Sequence, residues 1–165
     1  MMGKIAGPGL QEFLDRMEAY YYFPLVIAKD SEMAEGTVRV EVRTVGGHID
    51  RAGGIVFGLR SLGNYFVWRL NALEDNIVLF EYLNHKRSQR ASVNQKIESG
   101  RWYGLTVEVE GRIIRGYLDD QPVLTYETPS PLKGHAGLWT KADSVTWFRN
   151  FTVLRAGGES PAPAK

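Results

Sequence analysis

An all-β fold of packed antiparallel sheets is predicted by two features of this sequence. From about Phe23 onward apolar residues recur with a period of two, the repeat of a strand with one buried and one wet face. About eleven such runs follow one another at intervals of roughly 8 to 12 residues, divided by glycine, aspartate and asparagine, which is the spacing of a sandwich or barrel. No internal repeat is visible, so a propeller or solenoid is set aside in favour of one sandwich.

The N-terminal segment, residues 1–22, is the exception to the β pattern. Leu10, Phe13, Leu14 and Met17 stand at i, i+3, i+4 and i+7 behind the breaker Gly7-Pro8-Gly9, which predicts a short amphipathic helix over residues 10 to 19 capping a sheet edge. The sandwich is expected over residues 23–155. It begins with the apolar run FPLVIA and continues through GTVRVEVRTV, where Val38, Val40 and Val42 face inward and Arg39, Glu41 and Arg43 face water and pair with opposite charges. Further strands read as GGIVFGLR, NYFVWRLN, NIVLFEYL, KRSQRASV, RWYGLTVEVE, RIIRGYLD, QPVLTYE, HAGLWT and SVTWFRNFTVL. Asp119-Asp120 marks one tight hairpin and Glu110-Gly111 another. In the last strand Phe148 and Phe151 are three apart, which breaks strict alternation and implies a β-bulge. Residues 156–165, AGGESPAPAK, read as a flexible tail.

Composition narrows the classes of function. A chain of 165 residues with 44% hydrophobic side chains has the makings of a globular core and needs no staple. The absence of cysteine excludes a disulfide framework, a thiolate zinc site and a cysteine nucleophile, and assigns no compartment. A net charge of +1 supplies no global field to recruit nucleic acid or an acidic membrane, and neither is expected as a partner. The first ten residues carry no apolar stretch of signal-peptide length and no window approaches a membrane span, so the expectation is a soluble chain without leader or anchor.

Three segments, taken in order, resemble a concanavalin-A-like jelly roll: GGIVFGLRSLGNYFVWRLNALEDN, GRWYGLTVEVEGRIIRGYLDDQPVLTYE and GHAGLWTKADSVTWFRNFTV. The chain is similar to the laminin-G-like and 3-keto-disaccharide-hydrolase-like bacterial domains of that lectin and glucanase superfamily over about residues 23 to 154. The resemblance implies a two-sheet jelly roll, and a sugar ligand on its concave sheet face. Two departures accompany it. The short helix stands in place of the family's initial strand, and Arg149-Asn150 occupies a position where many relatives are acidic, so no calcium site, and no metal or other cofactor, is expected.

Retaining glucanases of this superfamily place two carboxylates about 5 to 5.5 Å apart on one strand face in a Glu-x-Asp-x-Glu run; no such run exists here, and Glu108 with Glu110 reads as a solvated outer face. His48, His85 and His135 are far apart and keep no metal-ligand spacing. The basic residues Lys86, Arg87, Arg90, Lys96 and Arg101 read as a charged sheet edge. In RLNALEDN, Arg69 and Asn71 share a strand face with Tyr65 and Val67. Sugar recognition wants planar donors and amides for hydroxyls and an aromatic face for ring C–H groups, and Arg69, Asn71 and Trp139 are of those types. The alternative for Arg69 is an internal pair with Glu74 or Asp75. Lys141 and Asp143 rim the same groove, or else Asp143 fixes a turn while Trp139 packs inside.

The expected function is therefore noncatalytic carbohydrate binding through Arg69, Asn71, Trp139, Lys141 and Asp143. A glycoside-processing enzyme of the 3-keto-disaccharide hydrolase type, or a structural or protein-interaction module, stays open beside it. Paired carboxylates or a metal in the groove mark the enzyme, and a broad apolar patch marks the interaction module.

Overall fold

The computed structural model describes residues 23–157 together with Phe13, Leu14 and Met17. Eleven strands make up the described fold and no helix is among its elements. No helix element supports the helix expected over residues 10 to 19: of that stretch only Phe13, Leu14 and Met17 are described, all solvent-exposed with helical backbone, and the rest lies outside the described residues.

Two antiparallel sheets face each other. The first has six strands in the order β1 (Leu25–Ile27), β10 (His135–Thr140), β3 (Ala52–Ser61), β4 (Asn64–Asn71), β5 (Asn76–Leu83) and β6 (Lys86–Asn94). The second has five, in the order β11 (Val145–Arg155), β2 (Gly36–Gly46), β7 (Tyr103–Glu110), β8 (Ile113–Leu118) and β9 (Gln121–Glu127). Strands distant in sequence become neighbours, and the result is a jelly-roll sandwich.

The core forms where the period-two faces meet. Val38, Val40 and Val42 of β2 and Leu105 and Val107 of β7 pack against Ile55 and Phe57 of β3, Phe66, Trp68 and Leu70 of β4, and Ile77 and Leu79 of β5, all buried. Full burial of each of these side chains stabilises the fold by about 1.5–3 kcal/mol relative to exposure. Trp68 reaches across the sandwich: its indole N–H donates to the Tyr117 carbonyl at 3.3 Å, and a Cβ on Gly116 would stand 2.7 Å from its ring. Gly116 is thus the hole into which this ring fits.

The turns follow from residues that accept a left-handed backbone. Asp119 (φ 48°) and Asp120 (φ 63°) form the expected hairpin between β8 and β9, and Asn84 (φ 50°) and His85 (φ 64°) form another between β5 and β6. The β7–β8 turn lies one residue later than the sequence suggested, on Gly111-Arg112, because Glu110 pairs with Ile113. The bulge expected in the last strand falls between Arg149 and Thr152, with Asn150 left-handed at φ 54°. Among the basic residues of the β6 edge, Arg90 pairs with Glu81, and beyond its end Lys96 pairs with Asp75. Charge on an edge strand discourages pairing with another chain.

Candidate functional site

Side chains directly opposite one another in antiparallel strands share a face. On the outer face of the six-stranded sheet, pairing across β4, β5 and β6 sets out four rows: Asn71, Asn76 and Asn94; Arg69, Val78 and Ser92; Val67, Phe80 and Gln89; Tyr65, Tyr82 and Arg87. Amides therefore crowd one end of the face and aromatic rings the other. On the far side, Trp139 of β10 and Arg69 of β4 flank Gly54 of β3 in one row. A Cβ on Gly54 would come within 2.7 Å of Arg69, so glycine lets the neighbouring strand approach.

This face has an apolar cluster of its own, made of Ala52, Val56, Tyr65, Val67, Val78, Phe80, Tyr82 and Trp139. Phe23, just ahead of β1, stacks on Trp139 with ring centroids 5.8 Å apart and meets Tyr82 edge-on at 5.6 Å. Trp139 accordingly has no exposed surface, and its indole N–H has no hydrogen-bond partner among the described residues. Tyr65 and Tyr82 stack at 4.3 Å; burial pushes the Tyr65 hydroxyl well above the ordinary tyrosine range and raises that of Tyr82. The Arg87 guanidinium sits over Phe80 at 4.7 Å and over Phe23 at 5.3 Å. Phe23, Leu25, Leu62, Tyr65, Tyr82, His85 and Arg87 line a cleft of about 470 Å³ at this end.

At the amide end four of the five residues singled out from sequence, Arg69, Asn71, Lys141 and Asp143, meet in one network, while Trp139 packs with the aromatic cluster. Arg69, buried, donates to Glu74 at 2.8 Å and to the Asn76 side chain, and its Nε has no partner among the described residues. Asn71, also buried, donates to Asp50 at 2.6 Å, while its carbonyl accepts from the backbone N–H of Leu73 at 2.9 Å and closes the β4–β5 turn. Lys141 forms an ion pair with Asp50, and neither side chain is exposed. Asp143 accepts from the backbone N–H groups of His48 at 2.6 Å and Asp50 at 3.0 Å, pinning the β2–β3 loop. Asp50 is the hub of this network, and the sequence reading passed over it.

Other residues of this face were also not singled out. Asn76, Ser92, Asn94, Tyr82 and Arg87 joined it only through strand register, although the alternation of NIVLFEYL already placed Asn76, Val78, Phe80 and Tyr82 together. Glu74 and Asp143 impose a pH dependence. Burial alone would raise the Glu74 carboxyl, but Arg69 and Asn76 outweigh it and hold it below its ordinary 4.5; burial likewise opposes the backbone N–H groups that hold Asp143 below 3.8. A depressed folded-state pKa contributes stability that is present above the ordinary value and lost as pH falls through the folded one. Melting temperatures should hold steady from neutral pH to about pH 5 and fall below about pH 4; a Glu74→Gln/Asp143→Asn double variant that melts lower at pH 7 yet loses as much on acidification would refute this origin.

The family described as galactocerebrosidase, C-terminal lectin domain, matches residues 26–156. No curated protein sequence matches the chain. Among solved structures, the carbohydrate-binding module CBM66 from Bacillus subtilis superposes with a TM-score of 0.73 at 22% identity, over 79% of this chain and 81% of its own. The galectin LEC-6 of Caenorhabditis elegans gives 0.59 at 11% identity, over 79% and 91%. A β-glucanase of Bacillus licheniformis gives 0.50 at 15% identity, over 69% and 57%. A binding module, a galectin and a glucanase thus share this jelly-roll sandwich.

Proposed function

This chain belongs to the family of galactocerebrosidase C-terminal lectin domains, and from that premise we propose that it is a carbohydrate-binding domain whose ligand lies across β4, β5 and β6 on the outer face of the six-stranded sheet. The observation that carries the reading is the row pattern on that face. A ladder of three asparagines stands at one end, tyrosines and Arg87 at the other, and a buried arginine between them. Amide and hydroxyl groups match the alternating donors and acceptors of sugar hydroxyls, and aromatic edges match the apolar C–H surface of the ring.

Within this arrangement the residues have different tasks. The exposed groups of Asn94, Ser92, Gln89 and Glu74 meet the sugar. Arg69 and Asn71 hold Glu74, Asn76 and the β4–β5 turn in place, and Lys141 and Asp143 secure the neighbouring loop through Asp50. Trp139 is the floor beneath Phe23 rather than the surface the sugar touches. The likeness to a carbohydrate-binding module and the match to a lectin-domain family support carbohydrate as the class of ligand.

A glycan array with the full chain, followed by calorimetric titration of the strongest glycan, tests this. Asn94→Ala and Ser92→Ala should each weaken binding about tenfold, equivalent to 1.4 kcal/mol, and should leave the melting temperature unchanged because both side chains are exposed. An array on which nothing binds, or variants that bind as the wild type does, would overturn the assignment.

A further inference from the structure

The outer face of the five-stranded sheet has a second, separate cleft, of about 410 Å³, lined by Arg39, Glu41, Gly104, Asp119, Asp120 and Asn150. Each of its carboxylates has an arginine partner. Arg39 pairs with Asp120, Arg101 with Asp119 at 2.9 Å, and Arg149 with Glu41 through two nitrogens at 2.9 and 3.1 Å. The cleft is therefore rich in fixed donors and acceptors and close to neutral as a whole. Beside it, Arg149 covers the Trp102 ring at 4.1 Å, and Arg43 stands 5.3 Å from Trp147, which is 54% exposed.

Two features of the backbone are not explained by stability. Glycine inside a strand weakens it, and often marks a place where a ligand approaches. Gly104 lies in β7 with an ordinary φ, and a Cβ there would meet nothing closer than Asp119 Oδ1 at 3.7 Å. Packing has room for a side chain, so the effect of glycine is to leave the cleft floor bare. The second feature is the bulge of β11. It puts Asn150 in the left-handed region and brings both Arg149 and Asn150 onto one carboxylate, that of Glu41. Exposed ion pairs contribute little to stability, whereas bulges recur where a strand re-aims side chains beside a site. Arg149 and Asn150 also hold the Glu41 carboxyl below its ordinary range, so it stays an ionised acceptor.

We propose that this cleft is a second sugar-binding site, which takes a neutral monosaccharide unit between the Glu41–Arg149–Asn150 cluster and the Asp119-Asp120 turn, over the bare Gly104 floor and next to Trp102 and Trp147. Neutrality excludes the strong preference for charge that an unpaired cluster would show. Fixed carboxylate acceptors and guanidinium donors match vicinal hydroxyls, and the tryptophans match the ring's C–H face. With a ligand on each sheet, one domain would bridge two glycan chains. The proposal does not rest on the site across β4 to β6.

The four tryptophans make the two faces separately visible, since Trp68 lies in the core, Trp139 beneath the six-stranded face, and Trp102 and Trp147 on the five-stranded one. The probes are glucose, galactose, mannose, fructose and linear neutral oligosaccharides of the same sugars, titrated into isotope-labelled full chain while the indole N–H resonances are followed. At least one probe should shift Trp102 and Trp147 saturably. Gly104→Val, which fills the floor and suits a strand, should reduce that affinity tenfold or more with no loss of melting temperature. Glu41→Gln should weaken it as well. Asn94→Ala, on the opposite sheet, should leave it unchanged. The proposal is overturned if no probe moves Trp102 and Trp147, or if Gly104→Val binds as the wild type does. Failure of the β4–β6 site has a different signature: ligand shifts on that face insensitive to Asn94→Ala, whatever happens at Trp102 and Trp147.

Discussion

Trp139→Ala should lower the stability of this domain by roughly 3–5 kcal/mol, the cost of truncating a fully buried tryptophan. For a chain of this size that corresponds to a fall of roughly 6 to 20 °C in melting temperature. The reason lies in what surrounds the ring. Trp139 is 0% exposed, with Phe23 stacked on one face and Gly54 leaving room in the row toward Arg69. Removing the indole leaves a cavity that Phe23, fixed just ahead of β1, cannot fill without giving up Tyr82. Trp139→Phe should recover most of the loss, because it keeps an aromatic partner and sacrifices only an N–H that has no hydrogen bond among the described residues. Thermal melts of both variants check this. A Trp139→Ala variant that melts within about 1 °C of the wild type but no longer binds glycan would mean that the ring is an exposed stacking platform in solution.

Asp50→Ala should cost about as much, for an electrostatic reason. Asp50 is almost fully buried and serves Lys141 and Asn71, and it also accepts from the Arg51 backbone N–H at 3.0 Å. Taking away one member of a buried ion pair strands the other without compensation, typically at about 3–5 kcal/mol. The double variant Asp50→Ala/Lys141→Met should be more stable than Asp50→Ala alone, since it removes the stranded ammonium and keeps an aliphatic chain of similar reach. Denaturant melts of the two single variants and the double complete a thermodynamic cycle. A double variant less stable than either single would show that Lys141 is solvated and that the network's strength lies elsewhere.

Both predictions depend on residues whose importance differed in how readily it could be read from the chain. The facing of Val38, Val40 and Val42, the Asp119-Asp120 hairpin and the bulge at Phe148 to Phe151 were legible because each is a local rule: alternation, a left-handed turn pair, a break in period. The common face of Arg69 and Asn71 was legible for the same reason. The sequence alone leaves Arg69 either a sugar contact or an internal partner of Glu74 or Asp75, and the turn that Asn71 closes selects Glu74 as its partner. Asp75 instead takes the left-handed position (φ 50°) and turns to Lys96 and the Ile97 backbone.

The alternation and spacing of apolar and polar side chains by themselves determined that this chain is an all-β sandwich or barrel and which residues face its core, and the turn residues between the runs determined where most of its turns fall; the two-sheet jelly roll came from the resemblance. Such local patterns are written between residues one to four positions apart, and the hydrophobic effect reads them directly. Only the tertiary structure decided that Trp139 and Arg69, seventy positions apart, lie two strands apart across Gly54, that Phe23 covers the indole, and that Asp50 joins Asn71 to Lys141. Register between strands from distant parts of the chain follows from the simultaneous packing of both sheets, and no local pattern encodes it.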